Sequence, residues 1–210
     1  MSNSSSFSVS TDKSTPGSYG PSETALVLLD FHSRFVNKAG GPGAPGALQV
    51  ASELRSWANS KGIQVINCLL DVSQSPSPTF KGVERYGGVI ELMRSPDGGA
   101  EVPATLLEGS TDHATFTRKP GTGSAFCSPG FHEFLKTKGI KSLILTGLPT
   151  SGAVARTAFA AGDADLVVTI VSDACTDPQQ NVHDLMLESV LGGRCWVTTS
   201  EVLQAEFGSA

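Results

Sequence analysis

SLILTGLPTSGAVARTA, residues 142 to 158, is the stretch whose reading decides the architecture of this chain. Its first part, Ser142 to Gly147, is an apolar run of the kind found in strands buried on both faces. From Ser151 onward the residues become small and alanine-rich, and the pattern opens a helix. The turn between them therefore sits at the carboxyl end of a strand and the amino end of a helix. In an open parallel sheet that is where small ligands bind, and the free N–H groups of the helix start favour negative charge. The turn has the frame of a nucleophile-bearing elbow, yet the helix starts Ser151, Gly152, Ala153, Val154.

Working outward, the same alternation recurs along the chain. TALVLLD (24–30), IQVINCLLD (63–71) and DLVVTIVSD (165–173) are further apolar strand-like runs, with ATFTRK (114–119) and RCWVTT (194–199) as shorter ones. Helical patterns lie between them: ALQVASELRSWANSKG, SPGFHEFLKTKG, SGAVARTAFAAGDA, QQNVHDLMLESVLGG and SEVLQAEF. Strand and helix in near-regular alternation predict an α/β fold, a parallel sheet with helices on both faces joined by right-handed crossovers. Gly62, Gly139 and Gly192 are expected as helix C-caps. One domain is expected over 23–210, preceded by a disordered serine-rich tail over 1–22; the alternative is a docked N-terminal arm. Residues 72–113 are rich in turn formers, with a short helical stretch near VIELM, and follow a strand's carboxyl end. They are expected to form a lid-like loop over the site.

Composition narrows the function. Fifteen basic against 20 acidic residues give a formal charge of -5, with no clustered basic face, which argues against nucleic acid or an anionic membrane as partner. No apolar run is long enough to span a bilayer, and the N-terminus has no signal-peptide core. Cys68, Cys127, Cys175 and Cys195 have no metal-type spacing and are expected to be reduced thiols in a cytoplasmic protein. Cys127, beside the Ser124-Ala125-Phe126 turn, is better placed for helix packing than for a relocated nucleophile.

Three motifs in order give the chain a family resemblance. ALVLLDFHSRFV carries Asp30 and, five positions on, Phe35; FTRKPGTGSAF carries Lys119 ahead of a Ser-Ala-Phe turn; TGLPTSGAVARTA is followed by VSDAC and a helix bearing His183. Together they resemble the isochorismatase-like hydrolases, the superfamily of nicotinamidases, N-carbamoylsarcosine amidohydrolases and isochorismatases, over Thr24 to about Val202. The resemblance implies a three-layer α/β/α fold with a six-stranded, mostly parallel sheet. It also implies a small-molecule substrate, no cofactor, a homo-oligomer and a catalytic group of Asp, Lys and Cys. Carried over, these are Asp30 as proton acceptor or acid, Lys119 as its cation, and Ala153 at the nucleophile position.

The chain departs from that pattern where the chemistry lies. Matching Gly147, Thr150, Val154 and Thr157 to Gly-x-x-Thr-x-x-Cys-Val places Ala153 where the thiol stands. Many amide hydrolases of the family have a non-proline cis peptide before the motif threonine, with a backbone N–H facing the oxyanion; here Leu148 and Pro149 occupy that place. Proline favours a cis Leu148–Pro149 bond and has no N–H to donate. The nicotinamidase metal ligands have no counterpart after INCLLD, so no metal is expected. Ala153 reads either as native, in a branch that works without a covalent intermediate and uses Asp30 as an acid, or as a replacement of cysteine in a thiol amidohydrolase. A binding protein that retained the pocket and lost turnover is the third reading. Beside Asp30, Lys119 and Ala153, the candidates for substrate contact are His32, Phe35, Phe126, Pro149, Thr150 and Gly152. Arg118 and Arg156 are weighed as carboxylate binders against surface ion pairs, and Asp173 and His183 as stabilisers of the last crossover.

Overall fold

Alternation of inward and outward side chains along each apolar run builds the sheet. In the computed structural model, which describes residues 6–107 and 114–209, the strands are β1 (Thr24–Leu29), β2 (Gln64–Leu70), β3 (Ala114–Arg118), β4 (Ser142–Gly147), β5 (Val167–Cys175) and β6 (Trp196–Thr198). They form one six-stranded sheet of order β3-β2-β1-β4-β5-β6, parallel at every pairing. The helices are α1 (Ala44–Lys61), α2 (Val83–Arg94), α3 (Phe131–Thr137), α4 (Ala155–Asp163), α5 (Gln180–Leu185) and α6 (Ser200–Glu206).

β1 and β4 are buried along their whole length. Alternate residues of β1 feed two separate cores: Ala25, Val27 and Leu29 pack with residues of α3 and α4, while Leu26 and Leu28 pack with Leu54 of α1 and Leu203 of α6. Chain order runs outward from β1 in one direction and from β4 in the other. The crevice at the carboxyl ends of these two strands is therefore the topological switch point, where open α/β sheets hold ligands. Gly147 ends β4 at φ 139°, and a Cβ there would lie 2.3 Å from the Leu29 carbonyl oxygen. Only glycine lets the two strand ends approach this closely.

Two expectations need correction. The tail is ordered where it is described: Phe7 is buried in the Leu26 core, the Val9 N–H donates to the Ser209 carbonyl, and the Trp196 indole N–H donates to the Ser14 carbonyl. Residues 6–22 thus form the docked arm, because one aromatic anchor and main-chain bonds to the C-terminal segment outweigh a serine-rich composition; residues 1–5 lie outside the described residues. The 72–113 segment is less of a loop than expected: the short helical stretch near VIELM extends to a 12-residue helix, α2, across the glycine pair Gly87–Gly88; residues 108–113 lie outside the described residues. Of the glycines expected as C-caps, Gly62 caps α1 in the left-handed conformation, Gly192 is the C-cap of the turn Met186–Leu191 that follows α5, and Gly139, with φ 70°, comes one residue after the C-cap Lys138 of α3. Among the described residues no helix is long and apolar enough to cross a membrane.

Candidate functional site

Asp30 follows β1 directly and turns the chain with φ 57°, a left-handed value that aspartate tolerates better than most residues and that costs on the order of 1 kcal/mol or more. Its N–H donates to the Cys68 carbonyl at 2.9 Å and its carbonyl accepts from the His32 N–H at 2.8 Å. The side chain is buried at the switch point. Arg118, the last residue of β3, meets it there: Nη1 donates to Oδ1 at 2.9 Å and Nη2 to Oδ2 at 2.6 Å. Nε of Arg118 is also satisfied, by the Thr122 carbonyl at 3.1 Å. This is fork-to-fork pairing of a guanidinium with a carboxylate. Burial pulls the Arg118 pKa down, but the charge and hydrogen bonds of Asp30 outweigh it and hold it above its ordinary value.

Lys119 was expected in that position and is elsewhere. Neighbouring residues at a strand end point to opposite sides, so with Arg118 turned inward Lys119 is exposed, and its carbonyl closes a turn by accepting from Thr122.

The elbow after β4 is held from beneath. Leu148–Pro149 is cis, as the sequence predicts. The chain then runs through a single wide turn, Thr150–Val154, into α4. Asp177 accepts from both the N–H and the hydroxyl of Ser151, at 3.0 and 2.6 Å, which caps this helix start. Thr150 is buried under the turn, with its hydroxyl 2.8 Å from His183 Nδ1 and its N–H donating to the Thr176 carbonyl, so it does not reach the cavity. His183 thus ties α5 to the elbow, and Asp173 caps α6 through Ser200.

Two cavities of ≈ 160 Å³ each open over this floor and share Asp30, Tyr86 and Pro149. One is walled by Phe80, Arg118, Gly123, Gly152, Ala153 and Arg156. The other is walled by Phe35, Arg85, Val89 and Leu148. Of the sequence candidates, Asp30, Ala153, Phe35, Pro149 and Gly152 line the space. Phe126 does not; it packs edge-on to Phe131 at 5.2 Å.

His32 also lies outside the cavity walls. Its Nδ1–H donates to the Ala100 carbonyl at 2.6 Å and its Nε2 accepts from the Leu70 N–H at 3.1 Å, so the ring is a neutral clamp between β2 and the segment after α2. Burial pushes its pKa below 6.5, against the partly opposing charge of Asp30. The unfolded imidazole takes up a proton near 6.5 that the folded one refuses. Stability is therefore expected to fall as pH drops below about 6.5, until the folded group itself titrates. A His32→Gln variant should lose about 1–3 kcal/mol at pH 7 and show a flatter decline between pH 6.5 and 5, measured by urea denaturation. An unchanged slope would show that His32 does not set it.

Tyr86, Phe80 and Arg85 were not anticipated, and all come from the 72–113 segment. Burial pushes the Tyr86 hydroxyl pKa up to about 12, with Asp30 adding to the rise. No thiol lines either cavity. Cys68 and Cys175 are buried, and burial raises both thiols, Cys175 to about 12. Cys127 is exposed. Among the described residues no group of three or more His, Cys, Asp or Glu side chains is placed to hold a metal ion.

A sequence model of the isochorismatase domain matches residues 24–202, which spans β1 to α6 and every residue of the site. The chain belongs to the isochorismatase family. It is 25% identical over 179 residues to an Arabidopsis thaliana protein named "probable inactive nicotinamidase", covering 76% of this chain and 84% of that one. Solved structures share the fold. A cysteine hydrolase from Pseudomonas syringae pv. phaseolicola superposes with TM-score 0.75 at 17% identity, covering 90% of this chain and 94% of that one. N-carbamoylsarcosine amidase from Thermoplasma acidophilum gives TM-score 0.68 at 22% identity, covering 85% and 97%.

Proposed function

We propose that this isochorismatase-family protein is a hydrolase of a small organic metabolite that works without a covalent thiol intermediate, with Asp30 handling the proton and Arg118 in the role expected for Lys119. The observation that carries the reading is the bidentate Arg118–Asp30 pair beside the buried methyl group of Ala153. A carboxylate bonded in this way still has a second lone pair on each oxygen, with which it can take a proton from water. Arg118 fixes the orientation of that carboxylate and balances its charge. A methyl group at position 153 cannot attack a carbonyl, and it leaves space for water where a sulfur would stand. Pro149 agrees with this chemistry, since it has no N–H to offer the oxyanion of an acyl-transfer step. A homo-oligomer whose neighbouring subunit completes the pocket wall belongs to the same proposal.

Ligand binding without turnover is the second reading. It is favoured by the engagement of both Asp30 oxygens by Arg118 and by similarity to a relative named inactive.

The test combines a substrate panel with one variant. Nicotinamide, N-carbamoylsarcosine and isochorismate are offered to the wild-type protein and to Ala153→Cys, with intact-protein mass spectrometry of quenched reactions. The wild type is expected to carry no acyl adduct, and Ala153→Cys to acquire an iodoacetamide-reactive thiol without a gain in amide hydrolysis. A gain of tenfold or more, about 1.4 kcal/mol of transition-state stabilisation, would contradict the non-covalent reading and restore the thiol one.

A further inference from the structure

The segment between β2 and β3 brings one polar group to the site that Asp30 and Arg118 leave unused. Tyr86, Ile90 and Met93 are spaced four and three residues apart on α2, and with Val89 they pack on Leu70 at the end of β2. Tyr86 stands at the amino end of this stripe and lines both cavities, beside Asp30 and Pro149. Phe80 holds its ring edge-on, with centroids 5.8 Å apart and planes at 77°. Phe80 packs in turn on Gly121, where a Cβ would lie 3.4 Å from its ring. The far end of α2 is tied down by Arg94, whose Nε donates to the Val72 carbonyl at 2.6 Å and Nη2 to the Gln74 carbonyl at 3.0 Å.

Phenylalanine would complete this stripe equally well; what tyrosine adds is a hydroxyl. A buried tyrosine hydroxyl ordinarily has a hydrogen-bond partner, yet among the described residues none bonds to that of Tyr86. It stands in the field of both Asp30 and Arg118. Burial, with the charge of Asp30 added, holds its pKa up at about 12, so at neutral pH it is a proton-bearing donor. The elbow on the other side of the cavity is poor in such donors. Pro149 has no N–H. The N–H groups of Thr150 and Ser151 donate to the Thr176 carbonyl and the Asp177 carboxylate, and those of Gly152 and Val154 donate to the Pro149 carbonyl.

We infer that Tyr86 is a further catalytic residue, whose hydroxyl donates a hydrogen bond to the substrate oxygen that gains negative charge as water attacks. The tyrosine keeps its proton throughout, and the proton of the attacking water goes to Asp30. A donor fixed in this way is worth more to the transition state than to the ground state, because the charge it faces grows. The inference rests on reading this cavity as a hydrolytic site, and it adds that the substrate turns a carbonyl or ether oxygen toward α2.

The test compares wild type with Tyr86→Phe, which keeps the ring and its packing. Two probes are titrated calorimetrically: acetophenone, and α-methylstyrene, in which a CH2 group replaces the carbonyl oxygen. Tyr86→Phe is expected to weaken acetophenone binding about threefold to tenfold and to leave α-methylstyrene within about twofold. The carbonyl stretch of bound acetophenone should lie at lower frequency in the wild type than in Tyr86→Phe. On any panel substrate that the wild type hydrolyses, the same variant should lower kcat by about 10²–10³ with KM little changed. Equal changes for the two probes would show a wall and no donor, and would overturn the inference. So would an unmoved carbonyl band, no saturable binding of acetophenone, or an unchanged kcat. Failure of the proton-transfer reading would appear separately, in the turnover of Asp30→Asn, and leave both probe affinities of Tyr86→Phe as expected.

Discussion

Replacing Arg118 with methionine is expected to lower the stability of the protein by about 3–5 kcal/mol, read as a fall in the urea midpoint at unchanged slope. Methionine keeps much of the volume and removes the charge, so Asp30 is left buried and unpaired at the centre of the sheet's carboxyl edge. The carboxylate must then be protonated, draw in water or move. None of these is available cheaply, because Arg118 and Asp30 side chains are 1% and 3% exposed and no other cation is within 4.0 Å of Asp30 among the described residues. Adding Asp30→Asn to Arg118→Met should recover a large part of the loss, since the double variant has neither charge to satisfy. This makes the expectation testable even if the single variant does not fold. Lys119→Met, one residue away, should stay within about 0.5 kcal/mol of wild type, because its side chain is exposed. If Arg118→Met and Lys119→Met behaved alike, the pair would not be what holds the site.

That contrast also marks how far the sequence could be read. The strands were legible because β1, β2, β4 and β5 are each continuous apolar runs, and a run of that length bounded by turn residues has few other homes. The switch point followed from the alternation of strands with helices. Asp30 and the Ala153 elbow were legible because each follows a strand end at once.

Arg118 was misjudged by one residue, although the signal was present. In ATFTRK the apolar positions Ala114 and Phe116 alternate with Thr115 and Thr117, and continuing the alternation puts Arg118, not Lys119, on the inward side. The motif match overrode the pleat. His32 and Thr150 were right in neighbourhood and wrong in direction, since whether a buried polar side chain faces a cavity or a backbone amide depends on partners such as Ala100 and His183 that are distant in sequence. Tyr86, Phe80 and Arg85 were out of reach for a different reason. A segment with two adjacent glycines in its helix has no periodicity strong enough to reveal which side chains it lays over the site. Arg156 was weighed as a carboxylate binder against a surface ion pair; that it lines the cavity beside Gly123 is a packing fact that its position in the sequence does not reveal.

The central claim is that Asp30 carries the chemistry with no covalent help from position 153. It is tested most directly by the turnover of Asp30→Asn on whichever panel substrate the wild type hydrolyses. Asparagine keeps the shape and can still accept from one Arg118 nitrogen, but it leaves the buried guanidinium without a counter-charge, so stability should fall by a few kcal/mol and circular dichroism must show that the assayed protein is folded. What it loses is the ability to take up a proton. Removing a positioned proton-transfer group typically costs about 10²–10⁴ in rate. The expected result is a drop in kcat by that factor while KM changes little. An Asp30→Asn protein that turns over substrate within a few-fold of wild type would contradict it.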